Sequence, residues 1–348
     1  MITTGSLLAP VRREPNRGRK GPGSALVDLI ERSRTRLAVG DTAGSRALLL
    51  QALQTFQTLG DRGGTAVVLH ELGTQTWRQG DYTQGEVLLR QAIGLRQALA
   101  NQAGWVASVY ELGLLEKARG QRTQANDLFA RALFTARQID NTPLVGRCLY
   151  QLGALHVEEG DYLAAETLFE EALVVRAATG DVEGQCATLY QLGLTCEARD
   201  DLFAAADYYK RSLALAGRLG DEVGQLGNLT RLAGVYSRRG RVADAAEQYR
   251  ESAALAARMG RADLQAESLR RLGRLLYATQ DYAGAFGPLW QAQQLVPTTD
   301  IAEWLPALYT ALGADAFAAQ AQRYGMDPAF VDNFLRARID SQGVDSLE

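Results

Sequence analysis

Acid–base, nucleophilic or metal chemistry in this chain of 348 residues would rest on very few side chains. There are two histidines, His70 and His156, and three cysteines, Cys148, Cys186 and Cys196. The histidines lie two repeat units apart, and neither has the Cys or His spacing of a zinc site. A nucleophile needs an activating base within reach, and no such pairing is legible. The glycines follow no GxxxxGK[ST] phosphate-loop pattern. Paired carboxylates such as Glu158-Glu159 and Glu170-Glu171 read as solvated helix faces. Cys186 and Cys196 fall ten residues apart on one expected helix and read as buried free thiols. No catalytic residue, cofactor or metal is expected.

The chemistry that is regularly spaced is that of recognition. His70, Tyr110, Tyr150, Tyr190, Thr230 and Arg270 recur at 40-residue steps. Four residues after each stand Thr74, Leu114, Ala154, Leu194, Gly234 and Arg274. Three further on stand Trp77, Lys117, Val157, Glu197, Ser237 and Tyr277. Steps of four and three place these rows on one helical face. Tyrosine combines a large apolar area with a hydroxyl and loses little rotamer entropy, which suits peptide binding. An adjacent row, Glu71, Glu111, Gln151, Gln191, Arg231 and Arg271, runs from acidic through neutral to basic. Such a gradient would orient an extended partner, with its acidic end toward Arg231, Arg270, Arg271 and Arg274. The opposing readings are ordinary core packing for the rings and drift among exposed edge residues for the charges.

The elements that position these rows are repeats. Leu-Gly occurs at 72–73, 112–113, 152–153, 192–193, 272–273 and 312–313, with Leu232-Ala233 at the remaining step. A second marker keeps the same spacing, as in Gly40-Asp41, Gly80-Asp81 and Gly160-Asp161. A third falls half a period away, as in Gly60-Asp61, Gly180-Asp181 and Gly220-Asp221. Each 40-residue unit therefore has two turn signals separating segments of roughly 16 residues with helical periodicity. Glycine suits the left-handed C-terminal position and Asp the following N-cap, with Asp81, Asp161 and Asp281 as caps before Thr83, Leu163 and Ala283. The second segment of each unit carries a small–large–small stripe, as in Ala165, Phe169 and Ala172. One hairpin cannot bury that stripe alone, but stacked hairpins can.

Leu-Gly in the first helix, then Ala, an aromatic four later and Ala three after that, resembles the tetratricopeptide repeat over about residues 64–296. The resemblance implies an all-α, right-handed superhelical solenoid of antiparallel hairpins whose first helices line a concave groove. The usual unit is 34 residues; here six more lengthen the helices, as in longer-unit arrays of bacterial signalling proteins. The family's aromatic late in the first helix is replaced by Thr76, Glu116, His156 and Cys196, and only Tyr236 conforms. The Lys and Asn of the carboxylate clamp in chaperone-binding relatives are not matched.

The ends differ. Residues 1–23, with Pro10, Pro15, Pro22 and five basic residues, are expected to be a disordered arm. Residues 24–60 read as a divergent capping repeat, where Arg32-Ser33 replaces Leu-Gly. The array proper is expected over 61–296, capping helices over 297–340 and a tail over 341–348. Pro288, Pro297 and Pro306 are expected to interrupt the period. A last helix, from about Pro328 to Ile339, is expected to cover the open end with Phe330, Phe334 and Leu335. Part of this end, Ala311 to Phe317, is similar to the repeat regions of large bacterial ATP-dependent transcriptional activators.

A net charge of −3 excludes a chain that is basic as a whole, so nucleic acid is expected only through the N-terminal arm. No apolar run is long enough to span a membrane, and the cysteine usage suits a reducing cytoplasm. The function expected is a scaffold binding a protein or peptide segment, with His70, Tyr110, Tyr150, Tyr190, Trp77, Arg231, Arg270, Arg271 and Arg274 as contacts. The alternative is a sensory or regulatory module of a bacterial signal-transduction or transcription system.

Overall fold

The computed structural model describes residues 22–298 and 301–334, and every regular element among them is an α-helix. The expected arm lies outside the described residues up to residue 21. The tail at 341–348, Leu335 and Ile339 also lie outside them.

The chain divides into two compact units, Met1–Ile139 and Asp140–Glu348. The first holds three hairpins: α1 (Pro22–Ala38) with α2 (Thr42–Thr58), α3 (Arg62–Arg78) with α4 (Tyr82–Ala98), and α5 (Gln102–Ala118) with α6 (Arg122–Gln138). The second holds four: α7 (Thr142–Glu159) with α8 (Tyr162–Ala178), α9 (Val182–Ala198) with α10 (Leu202–Leu219), α11 (Glu222–Arg238) with α12 (Val242–Arg258), and α13 (Ala262–Ala278) with α14 (Tyr282–Leu295). Then follow α15 (Ile301–Leu312), α16 (Ala314–Arg323) and a helical run, α17, at 328–334. Within each unit the second helix of one hairpin packs on the first helix of the next. Each unit is thus a stretch of an all-α repeat solenoid with a 40-residue step. The extra residues of the unit go into the helices, most of which are 17 residues long.

Asp and Asn set the helix starts. Asp61, Asp81 and Asn101 in the first unit accept the backbone N–H three residues on. Asp161, Asp181, Asp201, Asp221 and Asp281 do the same in the second. The helices after Asp81, Asp161 and Asp281 begin at Tyr82, Tyr162 and Tyr282, one residue earlier than expected. Left-handed residues end the helices: Gly60 (φ 67°), Gly80 (φ 97°) and Gly160 (φ 82°) take the conformation freely. Ala100 (φ 51°) and Gln280 (φ 65°) take it with a Cβ in the way.

The Leu-Gly doublet is explained by what lies opposite. A Cβ on Gly113 would sit 2.7 Å from the Phe129 ring. On Gly153 it would sit 2.9 Å from Phe169, and on Gly193 2.5 Å from Tyr209. The large residue of the second-helix stripe rests directly on the first helix, and glycine leaves it room at these three positions. Ala125, Ala132, Ala165 and Ala172 are buried beside these rings, so the stripe is core. In the first hairpin Ser33 replaces the glycine and its hydroxyl bonds Ser45, 2.8 Å away.

A polar pattern repeats every second hairpin. The side chains of Arg96 on α4 and Arg176 on α8 are buried, 6% and 8% exposed. Arg96 donates to the Gly104 carbonyl and the Ser108 hydroxyl. Arg176 donates to the Gly184 carbonyl and the Thr188 hydroxyl. On the same helices, Glu86 pairs with Arg119 at 2.9 Å and Glu166 with Arg199.

The two ends depart from the regular repeat. Pro288 and Pro306 lie inside α14 and α15 rather than breaking them. Gly287 offers no Cβ for the Pro288 ring to meet, and Tyr324 fills that space. Leu312-Gly313 is not a mid-helix doublet: Gly313 (φ 79°) separates α15 from α16. At the other end, α1 already begins at Pro22, inside the stretch assigned to the arm. Phe334 does pack on Tyr309 and Phe317, with ring centroids 5.8 and 5.4 Å away.

Candidate partner-binding face

The first helix of each hairpin has one side open. On α3, Leu72, Gly73, Gln75 and Thr76 are buried, while His70, Glu71, Thr74, Trp77 and Arg78 keep exposure. The same split recurs on α11 and α13. The three rows at steps of four and three therefore do mark one face, but its members differ in how much they offer.

In the first unit the face is largely spent on internal bonds. Glu71 pairs with Arg34 at 2.7 Å, and Arg78 with Glu111 at 3.3 Å. Glu111 is only 1% exposed. His70 Nδ1 lies 3.1 Å from the Ser108 hydroxyl. Enclosure pushes the His70 pKa down to about 3, and Arg96, Arg34 and Arg78 push the same way. His70 is thus a neutral hydrogen-bonding group at ordinary pH. Trp77 packs against Gly85, where an added Cβ would lie 2.6 Å from the Trp77 Cβ. Tyr110 is 5% exposed and leans on Phe129 at 5.5 Å, so this ring belongs to the core.

In the second unit more of the face is open. Tyr150 and Tyr190 are half-buried, leaning on Phe169 at 5.6 Å and Tyr209 at 5.8 Å. The Arg176 guanidinium lies 4.8 Å from the Tyr150 ring centre. Beyond Tyr190 is a depression of about 230 Å³ lined by Leu194, Glu197, Ala198, Arg231 and Arg238. The Tyr209 hydroxyl donates to Glu197 at 2.9 Å, and Arg238 reaches Glu197 at 3.5 Å and also Asp200. Arg231 lies 4.0 Å from Glu197 and stands beside Tyr190. Burial first, then Glu197, hold the Tyr209 phenol above its ordinary range. On α13, Arg271 pairs with Glu267 at 2.7 Å and stands beside Tyr249. Arg270 and Arg274 stand beside it, and Arg270 makes no ion pair among the described residues.

The basic end of the charge row follows an internal partner. Arg231 and Arg271 each stand beside the tyrosine of the preceding second helix, Tyr209 and Tyr249. Where that position is Phe129 or Phe169, the row carries Gln151 or Gln191. The correlation was present in the sequence but invisible without knowing which rows touch. Sequence reasoning placed Glu197 on the face without naming it a contact, and missed Arg238 as a lining residue and the buried Arg96 and Arg176. The 80-residue spacing of those two arginines, against alanine at 136, 216 and 256, was the available signal. A separate hollow of about 360 Å³ lies among Leu213, Leu229, Leu255, Glu251 and Arg258. It is larger but holds none of the tyrosines. His156 approaches Glu159 at 3.6 Å and Asp161 at 3.8 Å, and the three cysteines are buried and free. No helix among the described residues is long and apolar enough to cross a membrane.

Residues 105–178 match the family model described as tetratricopeptide repeat. No curated protein sequence matches the chain. Among solved structures, a Pyrococcus horikoshii signal transduction ATPase with numerous domains and a tetratricopeptide repeat sensor superposes with a TM-score of 0.71 at 14% identity. That likeness covers 83% of this chain and 44% of the other, so this chain spans under half the length of that protein. Aspartyl phosphate phosphatase F of Bacillus subtilis superposes with a TM-score of 0.57 at 13% identity, covering 79% and 71%. A Rap protein in complex with Competence and Sporulation Factor does so at 0.53 and 14%, covering 76% and 78%. Residues 105–178 are thus similar to the tetratricopeptide repeat, and the solved structures share the all-α repeat fold of this chain.

Proposed function

We propose that the protein is a non-catalytic scaffold that holds an extended or helical segment of a partner protein on the open face of its first helices. In the second unit the contacts are Tyr150, Tyr190, Arg231, Arg270, Arg271 and Arg274. The observation that carries this reading is the open row of half-buried tyrosine rings and exposed arginines on successive first helices. The Rap protein solved with Competence and Sporulation Factor supports a scaffold of this fold taking a partner. In the first unit His70 and Trp77 sit at the same positions of the face and take the same role there. Tyr110 contributes as the support beneath it.

Apolar area supplies most of the affinity, and charge sets direction and encounter rate. The segment's acidic end lies toward Arg231, Arg270, Arg271 and Arg274, the basic end of the charge row. The test is capture of a partner from source lysate with cross-link mapping, followed by titration of variants at two ionic strengths. Tyr190→Ala should cost about 1–2 kcal/mol. Arg270→Glu should weaken binding chiefly at low salt, since screening suppresses exposed charges at high salt. If neither changes affinity while Leu213→Glu in the separate hollow does, the binding surface lies elsewhere.

A further inference from the structure

Arg231 and Arg238 both reach into the 230 Å³ depression, and both are about half exposed. Between them stands one carboxylate of the chain itself, Glu197, 4.0 Å from Arg231 and 3.5 Å from Arg238. Glu197 is anchored from below by the Tyr209 hydroxyl at 2.9 Å. Asp200 takes the other side of the Arg238 guanidinium. The depression is therefore cationic in its donors and neutral in its sum: two guanidinium groups against two carboxylates. Its floor is partly apolar, through Leu194 and Ala198.

We propose that this depression is a carboxylate subsite for an Asp or Glu side chain of the bound segment, and that Glu197 is its built-in competitor. The inference rests on the reading of the open face as the binding surface. A guanidinium presents five N–H donors in a fork that matches a carboxylate. Arg231 and Arg238 spend part of that capacity on Glu197 and Asp200 and have exposed area left. An incoming carboxylate would share Arg238 and Arg231 with Glu197, whose own charge repels it. The competitor lowers affinity for every acidic segment, and it penalises most those whose carboxylate is poorly placed. Glu197 thereby acts as a selectivity residue rather than a general attractor. The tie to Tyr209 explains why it holds its place: its rotamer is fixed by a hydroxyl from the core, not only by the arginines it faces.

Glu197→Gln separates charge from shape, because the amide oxygen still accepts from Tyr209. The probes are a labelled eight-residue peptide of alternating Leu and Glu, and its Leu and Gln counterpart. Both are titrated at low salt into the full chain and its variants, with helicity checked by circular dichroism. The expected result is a gain of roughly three- to tenfold for the Leu/Glu peptide on Glu197→Gln, with no change for the Leu/Gln peptide. Arg238→Gln should reverse the gain when added to Glu197→Gln. Equal gains for both peptides would mean altered packing and would overturn the subsite. So would an unchanged Leu/Glu affinity in Glu197→Gln, provided Tyr190→Ala still weakens binding. In that case the face binds and only the subsite is wrong. If no variant binds the Leu/Glu peptide, or Tyr190→Ala has no effect, both the subsite and the binding face fall together.

Discussion

Adding a single methyl group at two glycines of the first unit should have opposite effects. Gly113 lies in the interior of α5 and Gly94 in the interior of α4, so Gly→Ala gains about 1 kcal/mol of helix propensity at either site. At Gly94 no atom lies within 4 Å of the added Cβ, and that gain stands alone. At Gly113 the Cβ would meet Phe129 at 2.7, 2.9 and 3.1 Å. Phe129 is fully buried and is backed by Tyr110 at 5.5 Å, so the ring has nowhere to yield. Overpacking of this kind costs about 1–3 kcal/mol. Gly113→Ala should therefore lose between nothing and about 2 kcal/mol net, while Gly94→Ala gains about 0.5–1 kcal/mol. The difference between the two variants, about 1–3 kcal/mol, is the quantity to measure. Urea unfolding followed by circular dichroism gives it directly. Repeat arrays do not always unfold in one step, so the comparison is made within one unit and on the same transition. If both alanines stabilise by the same amount, the ring does not rest on Gly113 and the account of the Leu-Gly doublet is wrong.

Other outcomes follow from burial and titration. Ala165→Leu should destabilise the second unit by about 1–3 kcal/mol through overpacking against Phe169 and Leu192, and unchanged thermal stability would place Ala165 outside the core. His70 has a folded pKa of about 3, below its unfolded value of 6.5, so the unfolded chain binds the extra proton between those values. Stability should fall as pH drops from 6.5 toward 3, by up to about 1.4 kcal/mol per unit, and His70→Gln should flatten that slope in acid unfolding curves. Burial pushes the Cys148 and Cys196 thiols up to about 12, so they should react with a thiol reagent only after denaturation, when three thiols are counted without reductant. Rapid labelling of Cys148 in the native protein would contradict its burial.

Much of the fold was legible because its signals are local and repeated. Asp81 and Gly80 announce a cap and a stop within adjacent residues, and six copies in register outvote any single exception. The stripe around Phe169 was legible for the same reason. The ends were harder: Leu312-Gly313 keeps the spacing but sits between two helices, since periodicity fixes distance along the chain and not conformation. Pro288 reads only as an interruption of the period, and that the helix runs through it depends on Gly287 leaving the ring room. The candidate face was legible only as a face. Tyr110, Tyr150 and Tyr190 look equivalent as letters, yet Tyr110 is covered while the other two keep exposure, a difference made by neighbours from other helices. The charge row is partly tied up inside the fold, since Glu71, Glu111 and Arg231 have ion partners about one unit away and Arg271 has Glu267 one turn back on its own helix.

The alternate-hairpin pattern of Arg96 and Arg176 constrains how such a chain can change length. Excising 40 residues, 102–141, would bring α7 to the place of α5. Arg96 would then face Cys148 instead of Ser108, and Glu86 would face Glu159 instead of Arg119. Excising 80 residues, 102–181, would bring α9 there. Arg96 would find Gly184 and Thr188, the pair that Arg176 already uses, and Glu86 would find Arg199. Around α4, loss of two hairpins would therefore keep these buried contacts and loss of one would break them, whereas α12, with Ala256 in place of the arginine, imposes no such rule.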